Sequence, residues 1–368
     1  MARAGAGGLR ALAFGALLAF AAGEIGLRVW HRVAAGTPFF AFLPGWHQRT
    51  FPLSPFLVFG PRVDWQLEGK ASPETSYWNA QGFRTHETLG PRPPGEVRVI
   101  ALGGSTTEDV WNDAGIHWPL VVEERIHAAG RDDVRVYNAA MSAYTTAHTL
   151  VQLELDVLPY QPDLVLVMHN VNDLLVVYSA ATQGRPLDSS YHVKYAHKSL
   201  TGYKDESDVV VSRLVSFVRD RWARLFPPPP RPPLQDYDLQ AGLRIFERNL
   251  RSTIAVARAN GAEVVLVTMP ASRTEARFEV VDSLSRQGLL DSNPSHERFL
   301  EDFDRYNDAV RRVGAECNAP VIDAAALLPA DDALFADLVH TTTAGVRAMG
   351  DVVAAELLPL LPARRDTP

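Results

Sequence analysis

Four short segments, in fixed order along the chain, carry the residue types that acyl transfer needs: a serine hydroxyl, N–H donors for an oxyanion, and a paired Asp/His base. The first is Gly103-Gly104-Ser105-Thr106-Thr107 and the last is Asp337-Leu338-Val339-His340. The first follows the apolar, β-branched run Val97-Arg98-Val99-Ile100-Ala101-Leu102, which predicts Ser105 in a tight turn at the carboxyl end of a strand. Open α/β sheets build their sites at such ends. The second segment, Asn138-Ala139-Ala140-Met141-Ser142-Ala143-Tyr144-Thr145-Thr146, follows Val134-Arg135-Val136-Tyr137. The third, His169-Asn170-Val171-Asn172-Asp173, follows Leu164-Val165-Leu166-Val167-Met168, so three strand ends deliver three polar loops.

Each segment has a plainer reading when taken alone. Gly-Gly-Ser-Thr-Thr after a strand is also a turn with a helix N-cap, Asn-Asp after a strand is also a turn, and Asp-x-x-His before threonines also caps a helix. Their joint occurrence at the ends of separate strands, with the Asp/His pair just ahead of a C-terminal helix, favours the catalytic reading. A phosphate-binding loop needs a lysine, and none follows Ser105 in this loop. The α/β-hydrolase elbow Gly-x-Ser-x-Gly fails at Thr107, although the order Ser…Asp…His would fit that fold too. His169, Asp173, Asp337 and His340 lack a compact ligand motif such as His-Glu-x-x-His, so neither a metal nor a cofactor is expected. His169 is expected on a pocket wall or as a hydrogen-bonded strand-end residue, with Asp173 a further candidate for the pocket.

The order of the four blocks resembles the SGNH hydrolases, the GDSL-like esterase and lipase superfamily, from about Val97 to the helix after His340. The resemblance implies Ser105 as nucleophile, His340 as general base and Asp337 as the carboxylate that orients His340. It also implies an oxyanion hole made by the N–H groups of Ser105 and Ala143 and the side-chain amide of Asn172. Three positions depart from the family pattern. Gly104 stands where Asp precedes the nucleophile, Ala143 where the second block has its oxyanion glycine, and Asn170 where the third block has the Gly of Gly-x-Asn-Asp. Alanine keeps the N–H, so Ala143 can serve if its backbone angles are met without strain. His340 would take the Ser105 proton during attack on an ester carbonyl and return it to the leaving alcohol, which leaves an acyl-enzyme for water to hydrolyse. The implied substrates are ester-bearing small molecules, lipids or acylated glycans. Two alternatives stay open: an O-acyltransferase that passes the acyl group to a glycan hydroxyl, and a catalytically silent binding module, which the altered Gly104, Ala143 and Asn170 would suit.

With 368 residues, 46% hydrophobic and 21% charged, the chain can bury a substantial core. A net charge of −7 argues against nucleic acid as a partner. A single cysteine, Cys317, excludes an intramolecular disulfide. Residues 1–30 hold Arg3 and Arg10, then a charge-free run over 11–23, then Glu24 and Arg28. That run is shorter than the ~20 residues usually needed to span a bilayer, and it fits a signal-peptide core with Ala19-Phe20-Ala21 as cleavage site. The Glu24/Arg28 pair just after it resembles the uncleaved anchor of a membrane-tethered subgroup of bacterial SGNH proteins. A single-pass anchor is therefore expected, with secretion after cleavage as the alternative, and both place the rest of the chain outside the cytoplasm, in the periplasm or at the cell surface.

Residues 31–96 form a Pro/Gly/aromatic-rich extension. Its run Asn79-Ala80-Gln81-Gly82-Phe83-Arg84 is expected to pack a short strand and turn on the main domain; the alternative sends Arg84 or Trp78 into the substrate cleft. The main domain is expected over 97–363, with an insertion at about 176–237 that carries Tyr178, Tyr191, Tyr195, Tyr203 and the stiff proline run from Pro227 to Pro233. An insertion after the Asn172 loop is a natural lid or substrate wall. Regular structure is expected to resume with a helix over 238–259, a strand over 263–269, a helix through 303–313, a strand over 320–323 and a last helix after Thr343. Strands alternating with helices at long spacing predict a flavodoxin-like three-layer α/β/α sandwich with a central parallel sheet, preceded by an N-terminal hydrophobic helix.

Overall fold

The apolar runs of the sequence form the strands of one parallel sheet. The computed structural model describes residues 4–35, 53–54, 58–59, 65–66, 77–79, 81–84, 88–109, 112, 116–182, 212–226, 237–278 and 294–364. Four two-residue strands, β1 (Leu53–Ser54), β2 (Val58–Phe59), β3 (Trp65–Gln66) and β4 (Tyr77–Trp78), pair as two antiparallel ribbons, β1 with β2 and β3 with β4. The main sheet comprises β5 (Val97–Gly103), β6 (Val134–Asn138), β7 (Leu164–Met168), β8 (Glu263–Val267) and β9 (Val321–Ile322) in the spatial order β6-β5-β7-β8-β9. All of its pairings are parallel. Every residue of β5 and β7 is buried, as a parallel strand covered on both faces requires.

The helices are α1 (Ala4–Ala35), α2 (Ser105–Glu108), α3 (Trp118–Ala128), α4 (Thr146–Gln152), α5 (Val171–Thr182), α6 (Arg213–Leu225), α7 (Leu239–Ala259), α8 (His296–Glu316), α9 (Ala324–Leu327) and α10 (Thr343–Leu357). Packing of α3 with α10 forms one layer, and packing of α7 with α4, α5 and α8 forms the other. The three-layer α/β/α sandwich around a parallel sheet is thus present. The stripe Leu239, Leu243, Phe246, Leu250, Ile254 and Ala257 on α7 is buried at helical spacing. Asp238 starts that helix by accepting the Ala241 N–H at 2.8 Å, and Ser295 starts α8 by accepting that of Arg298 at 3.2 Å.

Some boundaries differ from the sequence expectation. β8 stops at Val267 because Met269 leaves the ladder and exchanges both backbone hydrogen bonds with the side-chain amide of Asn307, at 3.0 and 2.9 Å. Helix α5 continues to Thr182, beyond the expected break at 176. The segment carrying Tyr191, Tyr195 and Tyr203 and the run Pro227–Pro233, with the lid they suggested, lies outside the described residues.

The chain divides into two units, Thr50–Thr201 with Arg231–Pro368, and Met1–Arg49 with Gly202–Pro230. In the second unit α1 packs with α6. Within α1, Arg10–Trp30 is apolar enough to cross a membrane, and its 21 residues reach about 32 Å at the α-helical rise.

Candidate active site

In the order β6-β5-β7, the chain leaves β5 first for one neighbour and later for the other, so the crevice beyond the carboxyl ends of β5 and β7 is the switch point of the sheet. Ser105 lies there, as the first residue of α2, directly after β5 and the cap Gly104. Space requires the first of the two glycines before it and is tight at the second. A Cβ on Gly103 would lie 2.4 Å from Thr107 Oγ1 and 2.8 Å from the Met168 carbonyl, and one on Gly104 would lie 2.6 Å from Asn172 Nδ2. The departure from the family's Asp at 104 thus lets the Asn172 amide stand directly behind the nucleophile.

Residues 337–340 form a turn just ahead of α10, which Thr342 starts by accepting the Gly345 N–H at 3.2 Å. Asp337 Oδ1 accepts the N–H groups of Val339 at 2.9 Å and His340 at 2.8 Å, which leaves Oδ2 facing His340 Nδ1 at 2.7 Å. On the other side of the ring, Nε2 lies 2.7 Å from Ser105 Oγ. Burial opposes protonation of His340, but the hydrogen bond and charge of Asp337, with the nearby charge of Asp109, outweigh it and raise the imidazole above its ordinary value. Burial likewise opposes ionisation of Asp337, yet its bonds to His340 and to the two N–H groups hold its carboxyl below the usual range. Ser105, Ala143, Asn172, Asp337 and His340 are all partly exposed, so a substrate can reach them.

Ala143 takes the left-handed conformation, with φ of +58°. That costs an alanine about 1–2 kcal/mol, so the surroundings must impose it. They do so on both sides. The N–H and hydroxyl of Ser142 donate to Glu108 Oε2, the former at 2.7 Å. The Tyr144 N–H donates to Met141 O at 3.1 Å, and the Tyr144 carbonyl accepts Asn172 Nδ2 at 2.9 Å. One of the two Asn172 amide protons is thereby used for orientation and the other is left for a ligand. Among the described residues no partner takes the N–H of Ser105 or of Ala143.

Glu108 is a buried carboxylate behind the candidate site that sequence reasoning missed. It is fully buried behind the Ala143 loop, where it also accepts Trp78 Nε1 at 3.2 Å, and its backbone carbonyl accepts the Arg84 guanidinium. Burial pushes its carboxyl up, against Ser142, Arg84 and Trp78. Asp109, the next residue, is pushed up to about 7 by burial, against the nearby charges of Arg84 and His340. Trp78, Phe83 and Arg84 are all buried, and the Arg84 N–H donates to Asn138 O at 2.7 Å, so the Asn-x-x-Gly-Phe-Arg run backs the site and does not line a cleft.

Burial removes His169 and Asp173 from a pocket wall, and His169 takes the other expected role, a hydrogen-bonded residue at a strand end. His169 Nε2 is 2.6 Å from Thr149 Oγ1, and burial lowers its pKa to about 4, so it stays neutral. Asp173 accepts the N–H and hydroxyl of Thr146 at the start of α4. Asn170 is also structural, donating to Phe303 O at 2.9 Å and Asn307 Oδ1 at 3.0 Å. Among the described residues no group of three or more His, Cys, Asp or Glu side chains could hold a metal ion.

The chain belongs to the GDSL-like lipase/acylhydrolase family, which matches residues 101–348, and it is a hydrolase of ester bonds. Among curated proteins none matches it by sequence. Among solved structures it is similar to a lipase/acylhydrolase from Enterococcus faecalis, with 18% identity and a TM-score of 0.43, over 73% of this chain and 100% of that one. It is also similar to an acetyl xylan esterase, with 17% identity and a TM-score of 0.42, over 70% of this chain and 98% of that one. A catalytic mutant of an acetylxylan esterase from Geobacillus stearothermophilus is 16% identical with a TM-score of 0.42, over 72% of this chain and 96% of that one.

Proposed function

We propose that the chain hydrolyses esters through a Ser105/His340/Asp337 triad and an acyl-enzyme. The observation that carries this reading is the unbroken contact from Asp337 Oδ2 to His340 Nδ1 and from His340 Nε2 to Ser105 Oγ, 2.7 Å at each step. His340 accepts the Ser105 proton as Oγ attacks the carbonyl carbon, and Asp337 holds the ring in the productive tautomer and stabilises the imidazolium. The N–H groups of Ser105 and Ala143 and the free proton of the Asn172 amide receive the developing oxyanion. Collapse of the tetrahedral intermediate expels the alcohol, which takes its proton from His340. Water then attacks the acyl-enzyme with the same base. The partly exposed site suits an ester presented on a small molecule, a lipid or an acylated glycan.

The apolar window of α1 supports single-pass anchoring, and the resemblance to the membrane-tethered subgroup puts the hydrolase unit outside the cytoplasm in this reading. The exposure of Leu12, Phe14, Leu17 and Leu18 favours this over the buried helix of a soluble protein, and the engaged Glu24 carboxylate lowers the cost of an acid near the bilayer.

A fluorophosphonate probe should label Ser105 in the parent and leave Ser105→Ala unlabelled, with p-nitrophenyl ester hydrolysis lost and the circular-dichroism spectrum unchanged. Parent-like kcat in Ser105→Ala would remove the nucleophile assignment.

A further inference from the structure

Helix α6 is basic and apolar at once. Its thirteen residues hold four arginines, Arg213, Arg219, Arg221 and Arg224, against one acid, Asp220, in a chain whose net charge is −7. Val215, Phe217, Val218, Trp222 and Leu225, with Phe226 just after it, are between 53% and 64% exposed. Val215, Val218, Trp222 and Leu225 recur at the spacing of one helical side. At 13 residues the helix reaches only about 20 Å, and it carries four guanidinium groups, so it cannot span a bilayer.

Its attachment says what covers this side. The Glu24 carboxylate, near the C-terminal end of the apolar window of α1, takes Arg28 Nε at 2.6 Å on one oxygen. On the other it takes the Ser212 hydroxyl at 2.9 Å and the Leu214 N–H at 2.8 Å. A carboxylate at a helix N-terminus is also favoured by the helix dipole. The two helices approach closely at the same level, since a Cβ on Gly23 would lie 3.0 Å from Leu214 Cδ2. Near this junction Ile25, Val29 and Trp30 of α1 are exposed too, so the candidate anchor and α6 both present apolar surface at this level.

We propose that α6 is an interfacial helix: docked to the anchor through Glu24, it lies at the boundary of headgroups and acyl chains of a bilayer carrying anionic lipid. Val218, Trp222 and Leu225 enter the acyl region, and the net positive charge of the helix favours anionic headgroups. The proposal rests on the anchor reading and adds a second, independent membrane contact to it.

The test uses the full chain with Cys317→Ser and one new cysteine, in Leu17→Cys, Val218→Cys, Asp220→Cys or Trp222→Cys. Each is labelled with an environment-sensitive fluorophore and reconstituted into vesicles of phosphatidylcholine with phosphatidylglycerol. Position 220 lies about 200° round the helix from 222 and serves as the wet control. Labels at 17, 218 and 222 should blue-shift and be quenched by lipid-borne nitroxide, those at 218 and 222 at least about twofold more than that at 220. Quenching at 17 with 218 and 222 as wet as 220 would overturn the interfacial helix and leave the anchor standing. Absence of quenching at 17 would remove the anchor and the proposal together. Labels at 218 and 222 that are dry yet untouched by lipid nitroxide would mean that a protein or a second copy covers the helix, which also overturns it.

Discussion

Replacing Asp337 by asparagine is the sharpest probe of the site, because the carboxylate uses its two oxygens differently. Oδ1 holds the N–H groups of Val339 and His340, and Oδ2 faces His340 Nδ1. Asparagine has one oxygen, and the two backbone donors claim it. Its NH2 group then points at Nδ1, which must accept, so the ring proton moves to Nε2 and faces Ser105. In that tautomer His340 cannot take the serine proton. Flipping the amide restores the tautomer but strands two backbone donors, at roughly 1–3 kcal/mol each, which corresponds to a fall in kcat of about 30-fold to about 10⁴. The lost charge no longer stabilises the imidazolium, so the upper part of that range, about 10³ to 10⁴, is expected. Steady-state hydrolysis of p-nitrophenyl acetate reads this directly, with KM and circular dichroism near those of the parent. At alkaline pH the variant should stay more active than His340→Ala. Activity within about tenfold of the parent at neutral pH would refute the reasoning, since it would mean that something other than Asp337 orients His340.

Three further outcomes follow from the same geometry. Ala143→Gly relieves a left-handed alanine and should keep kcat, whereas Ala143→Pro removes the N–H and cannot reach φ of +58°, and should lower kcat by about 10² to 10³ in steady-state assays of folded protein. Glu108→Gln offers one acceptor where Ser142 and Trp78 donate to two oxygens, so one buried donor is stranded; thermal unfolding should show a loss of about 1–3 kcal/mol, and kcat should fall with KM little changed. Asp109 raises the pKa of His340, and the base works only when neutral, so removing that charge should move the acid limb of the kcat/KM profile to lower pH. Asparagine tolerates the left-handed φ of 54° at this position, so Asp109→Asn should fold, and an unmoved limb would show that Asp109 does not sense His340.

Much of the sheet was legible because parallel strands buried on both faces read as unbroken apolar runs, as in Leu164–Met168. The spacing Asp337-x-x-His340 was legible as a local pair because the contact closes within one turn. What escaped notice depends on residues distant in sequence. Nothing near Glu108 announces that it meets Ser142, 34 residues on, or Trp78, 30 residues before. Gly104 read as a missing aspartate, and only the structure shows that the Asn172 amide occupies the space beside it. His169 and Asp173 sit at the right strand end, but polarity alone cannot distinguish a pocket wall from a buried group satisfied by Thr149 or Thr146. Helix α6 carried its signal in the spacing of Leu214, Val218, Trp222 and Leu225, hidden inside a segment otherwise irregular in composition.

Ser105 and His340 are 235 residues apart, and the turn holding Asp337 and His340 comes just ahead of the last long helix. A nascent chain emerges amino end first, so β5 to β8 and the Ala143 loop are synthesised well before the residues that would deprotonate the serine. Under the proposed triad, a chain still being made carries the Ser105 hydroxyl without its base. On that reading, activity would await docking of the final segment onto the sheet already formed by β5 to β8.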